Sequence, residues 1–140
     1  MQHNDMHVHT ASSPDAEISA SRLCLLGAGA GVERIGFVAH LDLHPGDFCH
    51  GGFREEGYLT ELDLAEKAGG ASVLRGLEIG EPHRFMDGAV KMFSPEGYDF
   101  ITGALHWLGD RMILEDKPFL SEKPLPLIEE YYRQTLSIVE

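Results

Sequence analysis

The segment Asp5-Met6-His7-Val8-His9-Thr10 sets two imidazoles two residues apart. In an extended strand such side chains leave the same face, roughly 6.6 Å apart along the chain, and can converge on one metal ion. Met6 and Val8 supply an apolar second face, while Asp5 shares the histidine face and could orient a ring by accepting its other N–H. Asp15, His40, Glu78 and His106 follow at wide intervals. Neutral imidazole binds zinc, iron or manganese, and a carboxylate can bridge two cations, so one glutamate among several histidines suits a multinuclear site with Glu78 as the bridge. Taken singly, each residue also has an ordinary explanation. Glu78 could pair with Arg75, His106 and His40 could be packed core histidines, and Asp15 could cap the next helix.

The elements that would position these groups alternate between strand and helix. Strands are predicted over 5–9, over 35–39 ending on His40, over 72–79 carrying Glu78, and over 98–104 running into Leu105-His106-Trp107. Helices are predicted over 18–26, closed by Gly27, Gly29 and Gly31, over 55–67, closed by Gly69-Gly70, and over 127–139. The stretch 41–52 reads as a long functional loop, the segment holding Pro82 and Pro95 as another, and 117–126 as a proline-spaced connection. This alternation predicts an α/β architecture with parallel strands, in which His7, His9, His40, Glu78 and His106 gather at the carboxyl ends of different strands.

The chain of 140 residues, 43% hydrophobic, suits one soluble domain. Its apolar runs are broken well short of a membrane span and no secretion segment opens it, so a cytoplasmic protein without membrane attachment is expected. Cys24 and Cys49 are expected to be free thiols. With 23 acidic against 11 basic residues and a formal charge of −12, attraction to nucleic acid is disfavoured. A phosphorylated substrate would need bound cations or a few placed arginines. His44, His50 and His83 would lie in loops on the same rim and are expected to be solvated; Arg54, Arg84 and Arg111 are candidate phosphate contacts by charge alone. His83 and Arg84 are the substrate-contact candidates.

In order, Asp5-x-His7-x-His9-Thr10, His40-Leu41-Asp42, Gly76-Leu77-Glu78-Ile79-Gly80 and Gly103-Ala104-Leu105-His106-Trp107 resemble the four motifs of the PHP (polymerase and histidinol phosphatase) family of metal-dependent phosphoesterases. The resemblance implies the first part of a distorted seven-stranded β/α (TIM-like) barrel, with residues 1–140 as the amino-terminal portion of the domain. It implies up to three zinc, iron or manganese ions: one held by His7, His9 and Glu78, one by Glu78 and His106, one by Asp15 and His40. Clustered cations of this kind activate water and clamp phosphate oxygens.

Within the family, the wording Gly76 to Pro82 is most similar to histidinol phosphatases. The implied reaction is hydrolysis of L-histidinol phosphate, a small phosphorylated substrate, in histidine biosynthesis. Action on nucleotides or nucleic acid ends, or metal binding without turnover, are the alternatives. Family members continue with a further histidine-bearing strand and a late Asp-x-His. The chain is therefore expected to be truncated, with incomplete ligand sets and a sheet edge open to a missing carboxy-terminal segment or a homo-oligomer.

Overall fold

Apolar runs too short for helices form a parallel sheet in the computed structural model, which describes residues 3–116 and 124–139. Its strands are β1 (His3–Val8), β2 (Val32–Phe37), β3 (His40–Leu41), β4 (Ser72–Gly80) and β5 (Phe100–Ala104), all paired in parallel. The register from β2 into β3 is unbroken, with Arg34 opposite Ser72 and His40 opposite Glu78, so the two occupy a single position beside β4. All four predicted strands are thus present, in the order β1, β2 with β3, β4, β5. The result is a mixed α/β fold whose curled parallel sheet makes a half-barrel.

β4 is central, and from Gly76 to Gly80 it is buried on both faces, as expected for a parallel strand with neighbours on each side. Alternation then divides its side chains. Leu77 and Ile79 join the core, and Glu78 takes the other face. Helices α1 (Ala20–Gly29) and α2 (Glu55–Ala68) pack on each other and on β2 and β4. Ala20 and Cys24 from α1, with Tyr58, Leu62 and Ala65 from α2, meet Phe37, Leu41, Leu77 and Ile79 in one cluster. The Tyr58 hydroxyl donates to the Gly76 carbonyl at 2.9 Å, satisfying the buried polar end of that ring.

Several elements depart from expectation. α1 runs through Gly27 instead of closing there, because a side chain at Gly27 would lie 3.0 Å from Ile35 Cδ1 and the glycine permits helix and strand to approach. The chain leaves that helix at Gly31, with φ +82°. The loop expected around Pro82 contains helix α3 (Pro82–Ala89), where proline stands in the first turn and its missing N–H costs nothing. After β5 a small antiparallel hairpin forms from β6 (Trp107–Leu108) and β7 (Arg111–Met112), followed by α4 (Ile113–Asp116). Helix α5 (Pro124–Val139) absorbs 124–126 of the proline-spaced stretch; 117–123 lies outside the described residues.

Leu62 is wholly buried in the core. Leu62→Ala should lower unfolding free energy by about 2–5 kcal/mol through lost burial and an unfilled cavity. Urea titration followed by circular dichroism measures this, and the helical signature of the folded variant should be unchanged.

Candidate metal centre

The carboxyl ends of the strands, with Asp15 from the loop after β1, deliver six polar side chains into a closed circuit in which carboxylates and imidazoles alternate. Glu78 Oε1 is 2.9 Å from His106 Nε2, and His106 Nδ1 is 2.9 Å from Asp42 Oδ1. Asp42 Oδ2 lies 3.0 Å from His40 Nδ1, and His40 Nε2 lies 3.3 Å from Asp15 Oδ2. Asp15 Oδ1 is 4.0 Å from His9 Nδ1, and His9 Nε2 is 3.4 Å from Glu78 Oε2, which closes the ring. His7 joins through Nε2, 2.8 Å from the same Glu78 oxygen. The pairing of β1 with β2 slips between Asp5 and Val8, an irregularity that re-aims nearby side chains. The His7 and His9 rings meet edge to face, 5.2 Å between centroids, and His9 stacks on His40 at 4.4 Å.

All six candidate ligands, His7, His9, Asp15, His40, Glu78 and His106, are therefore brought together. The ordinary explanations lose their partners. Arg75 binds Asp63 and Glu66 on α2, away from Glu78, and both nitrogens of His106 face carboxylates instead of backbone. Asp5, by contrast, accepts the backbone N–H of His7 at 3.3 Å within β1 in place of orienting a ring. His83 and Arg84 line a separate cavity of about 330 Å³ with Arg133, Gln134 and Ser137. Arg54 donates to the carbonyls of Gly51 and Phe53. His44 is buried, not solvated: it stacks on Trp107 with centroids 4.0 Å apart, an apolar packing that a loop histidine can supply. His50 is exposed.

Electrostatics follow the alternation. Burial alone would raise the Asp42 carboxyl, but the adjoining imidazoles of His106 and His40 outweigh it and draw the group down to about 2. Burial likewise opposes the charge on His106, yet Asp42 and Glu78 on its two sides lift it to about 10. Glu78 is lowered, its desolvation overcome by His106 and the neighbouring imidazoles. His9 is lowered by burial and by the cationic tendency of the stacked His40.

The donor set fits divalent cations. His7, His9 and Glu78 offer one atom each within 4.8 Å of one another, and so do His9, Asp15 and His40, and His40, Glu78 and His106. Four atoms of the circuit, His9 Nδ1, His40 Nδ1, Asp42 Oδ2 and Glu78 Oε2, are buried without a properly directed hydrogen bond, although oppositely charged neighbours stand close. Polar atoms that crowd together without pairing suit lone pairs converging on an ion.

Three contributors escaped the motif reading as site residues. Asp42 joins His40 to His106, and its two-residue spacing from His40 was the available signal. Cys49 lines the same cavity of about 280 Å³ with His9, Asp15, His40, Glu78 and His106. Glu81, at φ 45°, is wholly buried and its Oε1 accepts the backbone N–H groups of His106 and Trp107 at 2.5 and 3.0 Å, fixing the turn that presents His106. No side chain at Gly80 can coexist with this arrangement, since a Cβ there would overlap Asp42 Oδ1.

No protein-family model matches the chain, and no curated protein matches it. Among solved structures, the fold is similar to the crystal structure of a histidinol phosphate phosphatase from Lactococcus lactis subsp. lactis, complexed with zinc, L-histidinol and phosphate. The TM-score is 0.65 at 25% identity, covering 79% of this chain and 42% of that one. The chain thus spans less than half the length of that structural relative.

Three outcomes follow. Gly80→Ala should displace Asp42 and weaken zinc binding by about 10–100-fold, the range typical when a ligand-orienting carboxylate is lost; calorimetric titration reads it. Without metal, the stability lent by His106 is complete below its ordinary 6.5 and disappears as pH rises through about 10, while that of Asp42 is present above 3.8 and disappears as pH falls toward about 2. The urea midpoint in chelator should therefore be highest between those ordinary values, and zinc uptake near neutral pH should release a proton from His106.

Proposed function

We propose that this centre is the metal-binding part of a phosphomonoesterase site that hydrolyses L-histidinol phosphate to histidinol and inorganic phosphate. The observation that carries this reading is the composition of the cavity wall. Its described lining contains Asp15, Asp47, Glu78 and three imidazoles, but no lysine or arginine. Such a wall repels a phosphate by itself and accepts one once cations are bound. The relative with the similar fold has zinc, L-histidinol and phosphate in its structure, which supports the same chemistry here.

Divalent cations held there supply Lewis acidity toward phosphoryl oxygens and lower the pKa of water. His7 and His9 would hold one side of the centre, Glu78 and His106 the middle, and Asp15 with His40 the other side. Asp42 keeps His40 and His106 in register from behind. In the overall reaction the ester P–O bond breaks, the oxygen of water joins phosphorus, and a proton passes to the leaving alkoxide. Phe48, Met112 and Leu114 form an apolar wall for the organic part of the ester. A cavity of about 280 Å³ suits a small phosphorylated alcohol, and the net charge of −12 disfavours a nucleic acid polymer. Zinc is the metal favoured by the relative, with iron and manganese compatible with the same donors. Further strands, from a longer chain or a second copy, would complete the edge of β5.

A second reading is metal binding without turnover; the match reaches 42% of the relative's chain. Phosphate release from L-histidinol phosphate, nucleoside monophosphates and a terminally phosphorylated oligonucleotide separates the readings. Zinc-loaded protein should prefer histidinol phosphate by at least about 10-fold in kcat/KM, or about 1.4 kcal/mol. A preference for the oligonucleotide would overturn the substrate, and zinc retention with no release from any ester would favour the second reading. His7→Ala combined with His9→Ala should abolish release and lower the zinc content measured by elemental analysis.

A further inference from the structure

We propose that Cys49, His40 and Asp42 form an additional cation site, behind the His40 ring, that takes a borderline divalent ion such as zinc or cobalt through a thiolate. This inference stands independently of the phosphoesterase reading. His40 divides the centre: Nε2 faces Asp15, and Nδ1 points the other way, toward Asp42 Oδ2. A His40 ring nitrogen, an Asp42 carboxylate oxygen and the Cys49 sulfur lie within 4.8 Å of one another. Cys49 is 2% exposed and the Asp42 side chain is fully enclosed.

His40 Nδ1 and Asp42 Oδ2 are 3.0 Å apart, yet neither makes a directed hydrogen bond. An ordinary imidazole–carboxylate pair would satisfy both atoms. Donors on one tetrahedral ion at 2.0–2.3 Å stand about 3.5 Å apart, so closing this set takes about an ångström of side-chain movement.

The loop that carries Cys49 is built to hold it there. Asp47 accepts the Cys49 backbone N–H at 2.7 Å through one oxygen and the Trp107 indole N–H at 2.8 Å through the other. Gly52 N–H donates to the Cys49 carbonyl at 2.9 Å, and Gly51 N–H to the Asp42 carbonyl at 3.3 Å. Cys24, the other thiol, lies inside α1 within the apolar core, with none of these donors. A sulfur ligand beside nitrogen and oxygen selects zinc, cobalt or iron over magnesium and calcium. On binding, the metal displaces the Cys49 thiol proton, which burial and the carboxylates of Asp42, Asp47 and Asp15 hold up to about 12, together with the His40 Nδ1 proton; both protons leave to solvent, and the sulfur and nitrogen electron pairs form the bonds to the metal.

Cobalt(II) added to the reduced, metal-stripped full chain tests this directly. Sulfur ligation produces an intense near-ultraviolet charge-transfer band that nitrogen and oxygen ligands do not. The wild type and Cys24→Ser should show the band; Cys49→Ser should lose it while keeping the visible absorption of cobalt on the histidine sites. A wild type without the band, or a Cys49→Ser protein that retains it, would overturn the proposal. Zinc X-ray absorption on the unaltered protein removes any dependence on the variant's folding: a sulfur scatterer at about 2.3 Å is expected, and a shell of nitrogen and oxygen alone would refute the site. Phosphate release is assayed on the same preparations, so failure of turnover and failure of thiolate ligation are read separately.

Discussion

The circuit of Glu78, His106, Asp42, His40, Asp15 and His9 is an electrostatic constraint before it is a ligand set. A carboxylate taken from water without compensation costs several kcal/mol, and Asp42 is almost entirely enclosed. At about 4 Å and an effective dielectric near 20, one opposite charge returns about 4 kcal/mol. Asp42 has two imidazole neighbours and Glu78 has three. Removing one member deprives its neighbours of part of their compensation, so the members are coupled. The strongly lowered Asp42 and strongly raised His106 are the two ends of this compensation.

The rest of the fold serves that constraint. Parallel strands end on the same side, and side-chain alternation turns Glu78 toward the rim while Leu77 and Ile79 hold the strand to the core. The loop between β1 and α1, which carries Asp15, is tied from α2: Glu61 accepts hydrogen bonds from the Thr10 and Ser12 hydroxyls and from the Ala20 backbone N–H. Glu81 performs the corresponding task for His106 from a left-handed backbone conformation, a strain of order 1–3 kcal/mol that its two backbone hydrogen bonds offset. Polar groups behind the rim thus set the ligands as firmly as the core sets the strands.

A rim built this way spends its imidazole charge on its own carboxylates, which links stability to chemistry. The same carboxylates that hold the imidazoles in place make the cavity hostile to an anion and receptive to metal. His7, half exposed beside Glu78, stands at the most open part of the centre. Cys49 and the apolar side chains Phe48, Met112 and Leu114 complete the wall. Among the described residues no helix is long and apolar enough to cross a membrane.

Much of this was legible in the chain as written. Residue type and spacing disclosed the ligand candidates, the four strand positions, helix α2 and the loop after His40, because hydrophobic period and turn chemistry are local properties. Helix α3, the hairpin at Trp107, the packing of His44 and the full length of α1 were hidden, since each depends on what a neighbouring element offers. The role of Asp42 shows the limit most clearly: it meets His106 from a position 64 residues away in the chain. The sequence by itself determined which donors exist and on which strand ends they lie; tertiary structure alone decided which carboxylate faces which imidazole, because that choice is made by the curl of the sheet, the gap left at Gly80, and the demand that every buried charge find its opposite.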